Sequence, residues 1–204
     1  PATNPGKHSH LTSCASTGTA SYSDDGPGRI TRSAAPLPNG TNVPNQYPPS
    51  TYDAWYDTPR GAWIGETEYA LARRQLAAQP GETLLDVGCG TGWFTRRFAA
   101  DGFITAGLDP NPEWLTYARA HSEPGVYWVD GDARSLPFAD NSFDCVVSIA
   151  ALCFIPDEQQ AVAEIVRVAR RRFAIGWLNR ASLLYRQKHG QGAYQGARWH
   201  MADE

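Results

Sequence analysis

The densest chemical signal in the chain is the run from Leu84 to Phe94, which reads Leu-Leu-Asp-Val-Gly-Cys-Gly-Thr-Gly-Trp-Phe. It places Asp86 at the end of an apolar strand, followed by glycines at 88, 90 and 92 before a helix begins. Because glycine lacks a Cβ atom, such a turn can take positive φ angles and its backbone can approach a ligand closely. The run therefore predicts a loop that binds a nucleotide-type ligand.

Two further aspartates follow at regular spacing. The same interval of 23 residues separates Asp86 from Asp109 and Asp109 from Asp132. That length accommodates one helix and one strand, so the strand ends are expected to lie side by side at one edge of a parallel sheet, where ligands bind. A carboxylate about 20 residues beyond a glycine loop suits ribose, because its oxygens accept from adjacent hydroxyls. Asp109 is the candidate, although an aspartate before a proline also commonly starts a turn.

The glycine spacing also separates two classes of nucleotide-binding protein. Dehydrogenases that bind NAD carry Gly-x-Gly-x-x-Gly, whereas this chain carries Gly-x-Gly-x-Gly behind an acidic residue. An NAD-dependent oxidoreductase is therefore the least favoured of the functions considered.

A known family shows both features. The run from Asp86 to Gly92 resembles motif I of the class I S-adenosylmethionine-dependent methyltransferases. A second segment contains Asp-Ala-Arg-Ser-Leu-Pro-Phe and then Ser-Phe-Asp before an apolar strand, and it is similar to the type 11 methyltransferase domain family. The resemblance covers about residues 52–201. It implies S-adenosyl-L-methionine as cofactor and the following cofactor-binding residues: Asp86, Gly88, Gly90, Gly92, Asp109, Asp132, Ala133 and Ser148.

The resemblance also implies a role for each of these positions. The glycine turn would accommodate the methionine portion, and Asp86 would orient its ammonium group. Asp109 would accept from the ribose hydroxyls, while Asp132 would accept from the adenine amino group with the Ala133 backbone facing the ring. Ser148 would border the methyl group. Taken alone, Asp132 would be read as an ordinary loop aspartate.

A segment upstream of the glycine loop is rich in aromatic residues. Tyr52 to Asp57 reads Tyr-Asp-Ala-Trp-Tyr-Asp, which looks like the N-terminal cap of such enzymes, where an aromatic residue covers the cofactor. The same rings could equally pack a helix onto the sheet, and packing is the usual role of any one of them.

Alternating helical and strand patterns from Tyr52 onward predict an α/β fold, a Rossmann-like, doubly wound and mostly parallel sheet. Arg167 and Arg170 to Arg172 are expected to close the helix before the last strand, where cations complement the helix dipole. Residues 197–204 are expected to lead into another helix, so that the sheet is truncated after its fifth strand. The strands are predicted at 83–87, 104–108, 126–129, 143–149 and 173–178.

The first 50 residues have a different composition from the rest. Ser, Thr, Gly, Pro and Asn dominate them, and the only large aliphatic residues there are Leu11, Ile30, Leu37 and Val43. Too little apolar surface is available to offset chain ordering, so residues 1–49 are predicted to be a disordered low-complexity tail. Residues 50–204 are predicted to form the methyltransferase domain, incomplete at its C-terminus. The chain lacks an initiating methionine, and we expect it to be processed or a fragment.

Charge and composition exclude several classes. A net charge of −3 without a basic stripe does not favour nucleic-acid binding. No apolar stretch approaches the roughly 20 residues of a membrane span. The four cysteines and five histidines show no zinc-ligand spacing, so no metal site is predicted. The cysteines suit a reducing compartment, and we expect a cytoplasmic protein.

The predicted function is methyl transfer from S-adenosyl-L-methionine to a small-molecule acceptor. The alternative is a non-catalytic member of the family that binds the cofactor or a partner. No catalytic residue is assigned: the histidines are candidates for a general base by residue type alone, and Cys153 could line the acceptor pocket or simply pack. The acceptor and the oligomeric state are left open.

Overall fold

A computed structural model describes residues 47–203 of the chain. The architecture is a five-stranded, fully parallel sheet with the order β3-β2-β1-β4-β5, flanked by helices. The strands are β1 (Thr83–Val87), β2 (Ile104–Asp109), β3 (Tyr127–Asp130), β4 (Phe143–Ile149) and β5 (Ala169–Gly176). The helices are α1 (Pro49–Ala54), α2 (Pro59–Leu76), α3 (Trp93–Ala100), α4 (Pro112–Ala120), α5 (Glu158–Val168) and α6 (Leu183–Lys188). Three short 3₁₀ segments cover Trp55–Asp57, Leu152–Phe154 and Gly192–Tyr194.

The sheet has an apolar layer on each face. Successive residues of β1 point to opposite faces, so Leu84 packs in the cluster that contains Phe98 of α3, whereas Leu85 packs in the cluster that contains Ile165 of α5. All four of these side chains are fully buried. Coverage on both faces explains why β1 and β4 read as continuous apolar runs.

Polar side chains cap the N-termini of several helices. Asn111 caps α4 by accepting from the N–H groups of Glu113 and Trp114, and Asp157 caps α5 by accepting from the N–H of Gln160. The side-chain oxygen of Thr58 caps α2, a start that the sequence reasoning had not assigned. These caps fix where each helix leaves the sheet edge.

The start of β5 corrects one prediction. The strand begins at Ala169, so Arg170, Arg171 and Arg172 lie within it and do not close α5. Arg170 pairs with Asp144 at 2.9 Å and Arg171 with Glu82 at 2.7 Å, which are side-chain contacts across the sheet. The helix-dipole interpretation is therefore wrong for these three residues, because an edge strand can carry arginines that reach back to neighbouring carboxylates. Arg167 alone stands in the last turn of α5.

The C-terminal residues do not begin another helix. Trp199 is buried beside Leu178 and Cys153, and Asn179 forms a parallel bridge with His200. Residues 197–203 contain no helix, and the expectation that they lead into one stays a prediction.

Most of the predicted tail lies outside the described residues. Pro49, its last residue, is already the first residue of α1 and is buried. Within residues 47–203, no helix has the length and apolar character needed to cross a membrane.

Candidate functional site

The glycine loop connects β1 to α3 at the carboxyl edge of the sheet. Its three glycines take φ angles of 75° at Gly88, 57° at Gly90 and 80° at Gly92. The N–H groups of Gly88 and Cys89 both donate to the carbonyl of Leu108, at 2.7 and 3.0 Å. The loop is thus held against the end of β2, as a ligand cradle requires.

Glycine is required here for space as well as for φ. A Cβ atom built on Gly88 would lie 2.4 Å from the Cβ of Ala151, and one on Gly92 would lie 2.3 Å from the ring of Trp128. Both separations are far below van der Waals contact, so a larger residue at either position would displace its neighbour. Close packing therefore fixes the loop on both sides.

Asp86 lies one residue before the end of β1 and is almost completely buried. One carboxylate oxygen accepts from the hydroxyl of Thr95 at 2.6 Å. Burial is the main cause that raises the pKa of Asp86 to about 7, and the charge of Asp109 adds to it. No arginine or lysine contributes to this environment among the described residues, so a cationic ligand would supply the missing counter-charge.

Asp109 ends β2 beside the glycine loop. Its two carboxylate oxygens accept separately, one from the N–H of Gly90 and the other from the N–H of Asn111, both at 2.9 Å. Burial raises the pKa of Asp109 despite these two bonds. The carboxylate thus holds the loop and the start of α4 together, and each of its oxygens keeps a second lone pair for a ligand.

Asp132 lies just beyond β3, as the spacing predicted, but its carboxylate is already paired. The guanidinium of Arg134 binds it in a fork at 2.6 to 3.1 Å, and the N–H of Arg134 donates to it at 2.8 Å. This pairing lowers the pKa of Asp132. Ala133 next to it is buried. A ligand at this end must therefore share the Asp132 carboxylate with Arg134.

Ser148 is not brought to the surface of the edge. Its side chain is fully buried in β4, and its hydroxyl donates to the carbonyl of Val87 at 2.8 Å. The structure thus gathers the three aspartates, the glycines and Ala133 along β1, β2 and β3, whereas the Ser148 side chain joins β4 to β1. Ile149 and Ala150, which follow Ser148 in the chain, are only partly buried.

The comparisons with known proteins agree with this geometry. Residues 85–172 match the family model for a methyltransferase domain. Residues 85–172 therefore carry a methyltransferase domain similar to those of the class I S-adenosylmethionine-dependent family.

Two curated proteins and one solved structure are similar to this chain. It is 36% identical over 168 residues to the uncharacterized protein Rv2003c of Mycobacterium tuberculosis, covering 76% of this chain and 54% of that one. It is 40% identical over 95 residues to a malonyl-[acyl-carrier protein] O-methyltransferase of Erwinia pyrifoliae, covering 46% and 36%. A solved S-adenosylmethionine-dependent methyltransferase of Thermotoga maritima has the same fold, with a TM-score of 0.59, 24% identity and coverage of 76% and 72%. This chain thus spans about half the length of the curated relative Rv2003c.

One residue bound to the glycine loop was not singled out from the sequence. The carboxylate of Asp53, in α1, accepts from the hydroxyl of Thr91 at 2.7 Å and from the guanidinium of Arg96 at 2.9 and 3.0 Å. Arg96 in turn donates to the carbonyl of Thr91 at 2.6 Å, and the hydroxyl of Tyr117 reaches Asp53 at 3.3 Å. The aromatic segment that resembles the family's N-terminal cap contains Asp53, but nothing in the sequence indicated which loop it would bind.

The histidines considered as general bases have other contacts in this methyltransferase fold. His121 stacks on Tyr117 and bonds to its carbonyl at 2.8 Å, while His200 lies 3.3 Å from Glu158 and packs on Trp177. His189 lies against Tyr185 at the end of α6. None of them lies on the glycine loop or at the ends of β1 and β2.

Proposed function

We propose that this chain binds S-adenosyl-L-methionine at the carboxyl edge of β1 to β4 and transfers its methyl group to a small-molecule acceptor. The observation that carries the proposal is the Asp109 carboxylate, which accepts from the N–H of Gly90 at 2.9 Å and so joins the ribose-binding candidate to the glycine loop. A ligand that contacts both Asp109 and the glycine loop must present hydroxyls to the Asp109 carboxylate and a group small enough to lie against the loop backbone.

The electrostatics support a cationic ligand. Asp86 is buried, and the nearby charge of Asp109 further raises its pKa. The pKa of the partly buried Asp109 is raised by burial and by the charge of Asp130. No cation among the described residues offsets the charge of Asp86. S-adenosyl-L-methionine carries a sulfonium and an ammonium group, so its binding would favour the ionised carboxylates. In this arrangement Asp86 orients the ammonium group, Asp109 accepts from the ribose, and Asp132 accepts from the adenine amino group.

The sulfonium makes the methyl group reactive before it reaches the protein. The site therefore needs no protein nucleophile, and alignment of the acceptor, the methyl carbon and the sulfur can supply much of the rate acceleration. The absence of an assigned catalytic dyad at this edge is consistent with such chemistry. We also propose a cytoplasmic location, because the three described cysteines are unpaired thiols.

Calorimetric titration with S-adenosylhomocysteine tests the binding step, since this product is not consumed. We expect binding by the wild-type chain, binding at least about tenfold weaker for Asp109→Ala, and unchanged binding for Glu123→Ala, an exposed carboxylate in the loop before β3. Asp132→Ala provides a second variant in case the loop of Asp109→Ala does not fold. A folded wild-type chain that does not bind would overturn the proposal.

Transfer is tested separately with radiolabelled S-adenosyl-L-methionine and small-molecule extracts. A labelled product that requires the folded chain supports the methyltransferase assignment. Binding without any labelled product would favour the alternative, a non-catalytic member that binds the cofactor or a partner. Binding of NAD in place of S-adenosylhomocysteine would favour an oxidoreductase instead.

A further inference from the structure

The outer surface of α2 carries large apolar side chains that the fold leaves in water. Trp63 is 69% exposed, and its indole makes no ring contact, hydrogen bond or ion pair with another residue between 47 and 203. Leu71, about two turns further along the same helix, is 45% exposed. Exposed apolar groups that lie together on one surface are typical of a site where another protein binds.

A groove of about 440 Å³ lies along this surface. Its lining residues all come from α2 and recur three or four positions apart, so they occupy one side of the helix. They are Trp63, Glu66, Thr67, Ala70, Leu71 and Arg74, and we call them the α2 face. The opposite side of α2 holds its buried residues, which are Gly61, Gly65, Tyr69, Ala72 and Leu76.

The helix is held in this orientation by close packing. A Cβ atom built on Gly65 would lie 2.8 Å from the ring of Tyr56 and 2.9 Å from the ring of Trp93. The hydroxyl of Tyr69 donates to the carboxylate of Asp101 at 2.6 Å. Because α2 cannot rotate without breaking these contacts, it cannot turn Trp63 inward, and any cover for the α2 face comes from outside the described residues.

The α2 face carries one charge of each sign, about two helical turns apart. The guanidinium of Arg74 forms no hydrogen bond or ion pair within residues 47–203. Glu66 pairs with Arg97 of α3 through one carboxylate oxygen, Oε2, and its side chain is 46% exposed. Its other oxygen, Oε1, has no hydrogen bond to the described part of the chain, so it is available to a second cation.

These charges make the α2 face complementary to itself when two helices run antiparallel. A two-fold axis between Thr67 and Ala70 would bring Arg74 of each copy opposite Trp63 of the other copy and one turn from its Glu66. A guanidinium over an indole ring is attracted to the ring, and a carboxylate beside it adds an ion pair. Thr67 and Ala70, at the centre, are small enough for the helices to approach closely.

The parallel arrangement lacks this complementarity. It would set Arg74 against Arg74 of the second copy and Glu66 against Glu66, so like charges would meet at both ends of the contact. Charge therefore selects one orientation, the antiparallel one.

We propose that two copies of this chain associate through the α2 face as an antiparallel helix pair related by a two-fold axis, with each Trp63 covered by Arg74 of the other copy. A contact of this kind buries the same surface on both copies. The helix has 18 residues and is about 27 Å long, so the contact is small and its affinity is expected in the micromolar range. The association does not depend on the proposed methyl transfer.

Sedimentation velocity of the full chain at increasing concentration, without methyl donor, tests the association. We expect a monomer–dimer equilibrium for the wild type and a dimer at least about tenfold weaker for Trp63→Ala, because a buried tryptophan contributes much of the affinity of such contacts. The matched control is Leu183→Ala, which removes a 71% exposed apolar side chain from α6 and should dimerise like the wild type.

The orientation has its own variant. Arg74→Glu places a carboxylate beside Glu66 and Trp63 of the other copy, so the antiparallel dimer should weaken at least about tenfold. In a parallel pair the same change only replaces one like-charge contact by another. Arg186→Glu, at an exposed arginine of α6, changes the net charge equally and should leave dimerisation unchanged.

Thermal unfolding of each variant shows whether it folds, and Arg74→Glu decides the matter if Trp63→Ala does not. A wild type that stays monomeric up to about 1 mM overturns the proposal. A dimer that folded Trp63→Ala leaves intact overturns it as well, because the contact then lies elsewhere. A dimer that Arg74→Glu does not weaken, or that Arg186→Glu weakens equally, rules out the antiparallel pairing on which the proposal depends.

Discussion

The carboxylate of Asp53 accepts a hydrogen bond from the hydroxyl of Thr91 at 2.7 Å. One residue belongs to the N-terminal cap and the other to the glycine loop, so the cap is fastened directly to the loop it covers. Thr91 is buried, and Arg96 pairs with Asp53 while bonding to the backbone of Thr91. Cap and loop therefore form one hydrogen-bonded unit.

Removing the Asp53 carboxylate should loosen this unit. For Asp53→Ala we expect a loss of about 1–3 kcal/mol in the free energy of unfolding, because Arg96 and Thr91 lose a partly buried partner. S-adenosylhomocysteine should bind about tenfold more weakly. Urea denaturation and calorimetry measure the two effects. Asp57→Ala, an exposed carboxylate of the same segment, serves as control; equal behaviour of the two variants would show that Asp53 does not fasten the cap.

The steric effect of a side chain at Gly88 can be measured separately from the strain of its positive φ angle. Gly88→Ala and Gly81→Ala both place a side chain at positive φ, at a cost of about 1–2 kcal/mol each. A Cβ at Gly81 meets no atom within 4 Å, whereas one at Gly88 meets Ala151 at 2.4 Å. We therefore expect Gly88→Ala to lose about 1–3 kcal/mol more in unfolding free energy and to abolish S-adenosylhomocysteine binding.

The double variant checks the cause. Adding Ala151→Gly to Gly88→Ala removes the methyl group that the new Cβ would strike. Thermal unfolding should then recover toward that of Gly81→Ala. If the unfolding temperature of the double variant does not recover, the loss of stability arises from the loop backbone and not from the contact with Ala151.

Asp86 should make both stability and ligand binding depend on pH. Burial raises its pKa to about 7 in the folded chain, against about 4 when exposed. Between these values the folded chain holds a proton that the unfolded chain releases, so stability falls as pH rises from about 4 to 7. Asp86→Asn carries no titrating proton, and its denaturation midpoint should fall less steeply across this window.

The same carboxylate predicts the opposite slope for binding. A ligand with an ammonium group favours ionised Asp86, so S-adenosylhomocysteine should bind more tightly as pH rises through about 7, with release of protons below it. Asp86→Asn should bind weakly and with a smaller slope. Burial also raises the pKa of Glu68 in α2 to about 7, and the variant Glu68→Gln corrects for that second titrating group. A wild-type affinity that does not vary with pH would contradict the ionic role of Asp86.

Arg167 should stabilise the chain far more than its neighbour Arg170. It pairs with the buried Glu164 at 2.7 Å and donates to the carbonyls of Leu136 and Phe138, while Glu164 accepts from the N–H of Leu136 at 2.8 Å. Arg167→Met removes the cation that pairs with this buried carboxylate and should cost about 3–5 kcal/mol in unfolding free energy. Arg170→Met removes a half-exposed pair and should cost less than about 1 kcal/mol. Chemical denaturation of both variants decides between these values.

Much of the architecture could be predicted from the chain itself. The limits of β1 and β4 match the predictions, because buried parallel strands are encoded by runs of neighbouring apolar residues. The start of β5 was missed, since three consecutive arginines read as a helix end unless their partners across the sheet are known. Trp199 was missed for the same reason: its pocket is built by distant residues.

The sequence by itself predicted the glycine loop, a parallel sheet and the placement of Asp86, Asp109 and Asp132 at strand ends. It could do so because the spacing along the chain sets which strand end each residue occupies. Only the tertiary structure decided which partner each side chain finds. In the fold, Asp132 pairs with Arg134, the hydroxyl of Ser148 donates to the backbone of β1, and Asp53 accepts from Thr91 of the glycine loop. These partners lie far apart in the chain or depend on packing, which a local sequence pattern does not encode.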